Sequence, residues 1–269
     1  MGDDEVFLLV VSMLGSLWGI GLWGRFLTSG DPFRPRRHLR AIPTLICAVA
    51  MGLLFWVLRR WADDEVRDHV GYLTLLMGLG FALQAIAAFQ IAPWFGLMAA
   101  EDIGTKGNSA AATAWSGLLL GLTFCFAGAN TGEGPSLWNN VFSGALSIGG
   151  LFVLWAFIEA IGRTSASITE ERDLASGLRL AAFFLAAGVI LGRAVAGDWV
   201  SEFETVRDFA RFGWPAAVLA VLAGISDKTC RPKPQNRFPN WGIYGLLPAL
   251  FYGGAALVLM ALVGGWAAK

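Results

Sequence analysis

Apolar residues occur along the chain in blocks of about 17 to 27 residues, with short charged connectors between them. A transmembrane helix needs about 20 predominantly apolar residues, and backbone polar groups in a bilayer must be paired within their own segment. We therefore interpret the chain as an all-α polytopic transmembrane helical bundle. The pattern predicts eight spans, at residues 5–27, 41–61, 70–93, 108–130, 138–161, 175–196, 209–226 and 241–267.

The seventh block is the shortest of the eight. It reaches span length only if Phe209 and Phe212 are included. Pro215 lies near its predicted start, where the missing N–H group costs little.

The composition is typical of a membrane protein and gives no support for a nucleic-acid-binding, disulfide-rich or metal-binding protein. Hydrophobic residues make up 56% of the chain and charged residues 15%, whereas soluble domains average about 45–50% and 25%. The net charge is zero, which gives no support for nucleic-acid binding. The three cysteines, Cys47, Cys125 and Cys230, form no CxxC motif and predict neither a disulfide framework nor a metal site. We expect no cofactor.

The distribution of lysine and arginine predicts the orientation. Twelve of them lie in the connectors on one side and six in those on the other. Because cytoplasmic loops are enriched in positive charge, we expect a bacterial inner-membrane protein with both termini outside. The acidic start MGDDE is unlike a signal peptide, so we expect the first helix to be retained. The basic loops 31–40 and 227–240 act either as topology signals alone or as contacts for a partner or anionic lipid.

A shift of 65 residues superimposes one part of the chain on another. Each copy contains two helices, so the copies have the same orientation and form a parallel repeat, as in some transporters. This predicts three parts: helices 1–106, two repeat units at 107–226, and a loop with a final helix at 227–269. The shift pairs Asn108 with Asp173, Gly117 with Ala182, Gly121 with Ala186, Gly132 with Gly197 and Glu133 with Asp198.

Small residues one turn apart predict how the repeat packs. Such spacing lets two backbones approach closely in lipid. We expect the fourth and sixth helices to pack at the centre through Gly117, Gly121, Ala182 and Ala186.

Residues 107–226 resemble the bacterial membrane proteins classified as domain of unknown function 350. The resemblance is carried by Asn108 with the small run 110–112, by the glycine-rich segment 128–135, and by Ala175, Gly188, Gly192 and Gly197 in the second unit. It implies four helices in two units and no established activity. The family tends to have Asn where this chain has Asp173.

Ionisable residues at membrane depth are costly and are candidates for function. One predicted group is an intramembrane ion pair on the cytoplasmic side, formed by Glu159, Arg163 and Arg179. The simpler interpretation is that the arginines extend to the interface and that loop acids are solvated. The second group is a shallow outer polar site for a cation or a basic group, formed by Glu133, Asp198, Arg193, Asn130 and Asn139.

Three functions remain open. The first is a non-enzymatic subunit of a membrane assembly or a channel-like unit, whose partners are lipid and other subunits or copies of the chain. The second is a secondary transporter for a small cation or polyamine. A membrane enzyme is disfavoured because the chain has no P-loop, GxSxG motif or intramembrane histidine. Glycines are predicted to form partner faces on the first helix, at Gly15 and Gly19, and on the last, at Gly253, Gly254, Gly264 and Gly265.

Overall fold

The computed structural model describes residues 3–28, 37–134, 136–231 and 240–263. Most of both basic loops, together with Gly264 and Gly265, lies outside these residues. The described α-helices are α1 (Asp3–Thr28), α2 (Arg37–Trp61), α3 (Asp64–Asp68), α4 (Val70–Ile86), α5 (Ser109–Ala129), α6 (Leu137–Gly162), α7 (Thr164–Thr169), α8 (Leu174–Val195), α9 (Glu202–Cys230) and α10 (Leu247–Val263).

The predicted all-α bundle is confirmed. Eight helical segments of the described chain are long and apolar enough to cross a membrane. They are Val6–Thr28, Leu39–Trp61, Val70–Phe95, Ser109–Ala129, Leu137–Gly162, Leu174–Val195, Glu202–Cys230 and Gly242–Leu262. The described residues contain no β-strand, only an isolated bridge between Ala62 and Gly132.

The seventh span is longer than predicted. Its helix begins after Ser201, whose hydroxyl accepts a hydrogen bond from the backbone N–H of Glu204 at 3.2 Å. Such a cap, with acids in the first turn, stabilises a helix start among polar residues. Pro215 consequently lies inside α9 rather than near its start.

The third span is less regular than predicted. After α4 the backbone forms a π-turn (Ala87–Ile91), a 3₁₀-turn (Ala92–Phe95) and a second π-turn (Ala99–Thr105). Pro93 cannot donate a helical hydrogen bond, and Gly96 adopts a left-handed conformation with φ of 82°. The continuous helix therefore ends before the span does.

Helices α5 and α8 run parallel at the centre and touch along their whole length. A methyl group added at Gly121 would lie 2.5 Å from the carbonyl oxygen of Phe184, and one added at Gly188 would lie 2.5 Å from that of Gly121. Gly128 meets Gly192 with similarly little space. The α5 side of the predicted packing is correct. On α8, the closest approaches to the α5 glycines are made by Ala181, Phe184, Gly188 and Gly192. The predicted contacts of Ala182 and Ala186 stay a prediction.

The other helices surround this pair. Helices α2 and α6 pack on α5, whereas α6, α9 and α10 pack on α8. Helix α1 packs on α4, where Gly15 contacts Ala82 and the hydroxyl of Ser12 donates to the carbonyl of Leu75 at 2.9 Å. Gly15 and Gly19 therefore serve an internal contact, because a side chain at either would collide with α4.

The bundle has two ends that differ in their connecting segments. The cap end is where α5 and α8 begin, and it carries residues 96–108 and 163–173. The glycine end is where α5 and α8 finish, and it carries residues 62–69, 130–134 and 196–201.

Candidate polar sites at the two ends of the bundle

The structure brings Glu133 and Asp198 together at the glycine end. The Asp198 carboxylate accepts a hydrogen bond from the backbone N–H of Glu133 at 3.0 Å. Backbone bonds join the same segments: Gly197 donates to Thr131 at 2.8 Å, and Trp199 donates to Glu133 at 2.7 Å. Gly132 and Gly197 have φ of 103° and 121°, which only glycine adopts readily. The two helix ends are thus held side by side.

A cavity of about 40 Å³ lies beside this junction, and we call it the Glu133 cavity. Glu133, Asp198 and Asn139, three of the five residues predicted for the outer site, line it. Asp208 and Glu204 on α9 add two carboxylates that the sequence interpretation missed. Those acids belong to the extended start of α9, which the hydrophobic pattern assigns to a connector.

A second cavity, of about 80 Å³, also borders Gly132, and we call it the Asn130 cavity. Asn130 lines it together with Asp63 and Glu65 from the connector before α4. The sequence interpretation did not assign Asp63 or Glu65 to a site. Their approach depends on the bond from the Gly132 N–H to the Trp61 carbonyl at 3.1 Å, a long-range contact.

Arg193, the fifth predicted residue, lines neither cavity. Its side chain is buried, and its guanidinium lies 5.7 Å from the centre of the Phe212 ring. The Nε and one terminal nitrogen have no hydrogen-bond partner. The predicted outer site is therefore divided: three residues at one cavity, Asn130 at another, and Arg193 in the protein interior.

The predicted ion pair of Glu159, Arg163 and Arg179 is wrong. Arg179 is 1% exposed and donates from Nε to the Asp227 carboxylate at 2.6 Å. It also donates to Ser176 Oγ at 2.8 Å and to the carbonyl oxygen of Tyr244. The partner acid comes from α9, 48 residues away, and not from the consecutive helix. Arg179 therefore fastens α8 to α9 and to the start of the last span.

Glu159 instead forms its hydrogen bonds with residues close to it in the chain. Its carboxylate accepts hydrogen bonds from Ser165 N at 3.0 Å, Ser165 Oγ at 2.7 Å and Trp155 Nε1 at 3.0 Å. Arg163 links α6 to α7 in a left-handed conformation with φ of 50°, and its N–H donates to the Glu159 carbonyl. Glu159 and Arg163 thus shape a turn.

A larger cleft, of about 690 Å³, opens at the cap end. The interrupted segment after α4 forms one wall, and α7 forms the other. Arg172, like Arg163, has a left-handed backbone, with φ of 56°, a conformation that costs about 1–2 kcal/mol for a residue with a side chain. The charged residues that line the cleft are Asp102, Lys106, Glu159, Arg163, Glu170 and Arg172.

The acid on the first wall of this cleft is held by two partners. The buried Asp102 carboxylate accepts hydrogen bonds from Met98 N at 2.8 Å and from Lys106 Nζ at 3.0 Å. Hydrogen bonds to Glu101 and Asp102 raise the pKa of Lys106 above its ordinary value of 10.5. Its ammonium group therefore stays charged at neutral pH and holds the interrupted segment together.

A neutral polar cluster, which the sequence interpretation missed, lies deep in the bundle. Gln84 on α4 donates to Thr123 Oγ1 at 2.8 Å and to the Leu119 carbonyl at 3.2 Å. It also accepts from the Cys47 thiol at 3.2 Å. The cluster joins α2, α4 and α5. Because these polar groups bond to one another across the spans and not to water, we interpret the cluster as a structural contact between helices.

The described residues contain no group of three or more His, Cys, Asp or Glu placed to hold a metal ion. The chain matches no protein-family model, and neither the curated proteins nor the solved structures contain a significant match. The resemblance of residues 107–226 to the domain of unknown function 350 family therefore stays a prediction.

Proposed function

We propose that this multipass membrane protein is a non-enzymatic subunit of a membrane assembly or channel-like unit. The observation that carries the proposal is the contrast between its closed centre and its uncovered outer helices. Backbone contacts at Gly121, Gly128 and Gly188 leave no space for a pore between α5 and α8. A channel would therefore have to use surfaces outside this pair.

The outer helices α1 and α10 support this role. Most of their large apolar side chains are exposed, as expected for contact with lipid or another subunit. Side chains added at Gly21 and Gly24 on α1, or at Gly253 and Gly254 on α10, would meet open space. Close helix–helix contacts in membranes use such small residues. Of the predicted partner faces, that of α10 is available within the described chain, and α1 offers Gly21 and Gly24 instead of Gly15 and Gly19.

Native mass spectrometry of the protein extracted in mild detergent tests the proposal. We expect a complex larger than one chain. Gly253→Leu should break it while leaving the unfolding temperature of the single chain unchanged. Gly149→Leu on α6 is the matched control, since Gly149 also faces open space. Detection of only single chains at every concentration would contradict the assembly role.

The proposal includes the internal parallel repeat. Asn108 and Asp173 support it, because each accepts two backbone hydrogen bonds at the start of its helix, α5 or α8. The left-handed glycines at 132 and 197 support it at the other end. Two units with the same orientation would explain why α5 and α8 are parallel neighbours.

We further propose a bacterial inner-membrane location with the cap end in the cytoplasm. The support is the excess of positive charge in the connectors of that end. In intact cells, an impermeant thiol reagent should fail to label Cys230 and should label a cysteine introduced by Glu133→Cys. The opposite labelling pattern would show that the cap end lies outside the cell.

A second candidate, secondary transport of a small cation or polyamine, is favoured by the interrupted third span. Transporters often place discontinuous helices beside their binding sites, and here the break at residues 87–105 forms a wall of the cap-end cleft. Uptake of labelled putrescine or of a small cation into proteoliposomes, reduced by Glu170→Gln, would support transport. Uptake equal to that of protein-free liposomes would exclude it for the species tried.

A further inference from the structure

The cap-end cleft lies at the level where three of the spans begin or end. The third span finishes at Phe95, Arg163 directly follows the fifth span, and Arg172 comes just before the sixth. All three of these residues line the cleft. Trp94, the neighbour of Phe95 in the chain, is 82% exposed, and tryptophans are enriched at the level of the lipid headgroups. The cleft is therefore open to the headgroup region of a bilayer.

The charged side chains that line the cleft in the described chain fall into two sets. Three of them are engaged in the local contacts described above: Asp102, Lys106 and Glu159. The other three are exposed, and their side chains form no hydrogen bond or ion pair with a described residue: Arg163, Glu170 and Arg172. Two guanidinium groups and one carboxylate are thus left for a ligand.

The backbone at both of these arginines is in an unfavourable conformation. Arg163 and Arg172 are the two residues other than glycine with a positive φ in the described chain, at 50° and 56°. Glycine adopts this conformation without cost, and asparagine adopts it more readily than arginine. The turns alone therefore do not explain why arginine occupies both positions. Strained residues cluster at ligand-binding sites, and these two line the same cleft.

The size and lining of the cleft restrict the ligand. Its volume of about 690 Å³ lies within the range of about 300–1,000 Å³ that is usual for organic ligands. Guanidinium groups match the oxygens of a phosphate in bidentate pairs, whereas the single free carboxylate matches an ammonium group. Phe95 and Met98 add an apolar part to the lining. These features together favour a ligand that carries a phosphate, an ammonium group and an apolar extension.

We propose that the cap-end cleft binds the phosphoethanolamine headgroup of a membrane lipid. Arg163 and Arg172 bind the phosphate, and Glu170 accepts hydrogen bonds from the ammonium group. Phe95 and Met98 contact the start of the acyl chains. The inference does not depend on the proposed assembly role. It differs from the transport alternative, in which the same cleft takes a cation that has no phosphate.

Native mass spectrometry of the full-length protein in mild detergent, titrated with lipid, tests the proposal. The probes are dioleoyl phosphatidylethanolamine, phosphatidylcholine and phosphatidylglycerol, which share their acyl chains. Phosphatidylcholine has no N–H donor, and phosphatidylglycerol has no ammonium group. We expect phosphatidylethanolamine to bind about tenfold more tightly than either, as for one charge-assisted contact. Equal binding of the other lipids would overturn the proposal, as would displacement by an equal concentration of glycerophosphoethanolamine, the headgroup without acyl chains.

Variants connect the binding to the cleft. Arg163→Asn combined with Arg172→Asn should weaken phosphatidylethanolamine binding by about tenfold or more. Because asparagine tolerates the left-handed backbone, the unfolding temperature without lipid should not fall. Glu170→Gln, a change of one exposed side chain, should abolish the preference for phosphatidylethanolamine over phosphatidylglycerol. Arg60→Asn, at an exposed arginine of the glycine end, is the control and should leave binding unchanged. Undiminished binding in the double variant, or an unchanged preference in Glu170→Gln, would overturn the proposal.

Discussion

The two ends of the α5–α8 pair treat their buried polar groups differently. At the cap end, Arg179 is paired with Asp227, and Asp102 is paired with Lys106. At the glycine end, Asn130 Oδ1 and two nitrogens of Arg193 lack hydrogen-bond partners. The difference lies in the charged side chains: Arg179 joins helices through its ion pair with Asp227, whereas two nitrogens of Arg193 are left unpaired. Unpaired atoms also occur at the cap end, at Asp227 Oδ2 and Thr164 Oγ1. A charge at membrane depth thus indicates function only after its partner is known.

The strongest test of this contrast is loss of the cap-end ion pair. Arg179→Gln leaves the buried Asp227 carboxylate without its counter-charge, and we expect a loss of about 3–5 kcal/mol. Thermal unfolding in detergent measures the effect. The double change Arg179→Met with Asp227→Leu should recover part of the loss, because it removes both charges. A single variant as stable as the native chain would show that the pair contributes little.

The next test concerns the close packing of α5 against α8, which connects the two ends. Gly121→Leu places a side chain against the Phe184 backbone, which cannot move aside without separating α5 from α8. We expect a loss of about 3 kcal/mol, near the upper end of the usual cost of overpacking. Gly253→Leu is the control, since that position faces open space. Equal unfolding temperatures for the two variants would contradict the close α5–α8 contact.

A smaller effect is expected at the interrupted segment. Lys106→Gln removes the counter-charge of the buried Asp102, which keeps its bond from Met98. Partial exposure of Lys106 limits the expected loss to about 1–3 kcal/mol, the range for one unsatisfied group. The contribution of Lys106 should persist at neutral pH and disappear as pH rises through its raised pKa. A variant whose unfolding temperature matches the native value at both neutral and alkaline pH would exclude this role.

The smallest effect is expected at the glycine end. Arg193→Leu removes a buried guanidinium whose Nε and one terminal nitrogen are unsatisfied, which should stabilise the fold. Loss of the cation–π contact with Phe212 partly offsets this gain in stability. We expect a change below about 1 kcal/mol, since replacing a poorly satisfied buried charge by an apolar side chain is often neutral. A loss as large as that of Arg179→Gln would remove the contrast between the ends.

The spans were predictable from sequence because each must satisfy its own backbone within the bilayer. Local departures from the regular spans were harder to predict. The break after Ile86 has a signal in Pro93 and Gly96, whereas the early start of α9 depends on the Ser201 cap within a polar stretch. On α8, the 65-residue shift selected Ala182 and Ala186, whereas the atoms nearest to Gly117 and Gly121 belong to Ala181 and Phe184. Glycine marked the contacts at Gly188 and Gly192.

The candidate sites were predictable only where local position decides the contact. Glu133 and Asp198 follow equivalent glycines at the ends of neighbouring helices, and they do lie together. The partner of Arg179 could not be inferred, because similar depth on consecutive helices does not specify which faces meet. Asp63 and Glu65 were missed for the same reason: their approach to Asn130 depends on how α2 packs against α5.

The most direct test of the central claim, that α5 and α8 form a parallel pair with adjoining ends, is a disulfide between those ends. Glu133→Cys and Asp198→Cys, combined with Cys230→Ser, place two exposed thiols where the Asp198 carboxylate now contacts the Glu133 N–H at 3.0 Å. Cys47 and Cys125 are buried and should not react. Mild oxidation in native membranes should give a rapid cross-link within one chain, seen by mass spectrometry, whereas pairing Glu133→Cys with Glu170→Cys at the cap end should give none. Absence of the first cross-link, or only cross-links between chains, would contradict the parallel pair.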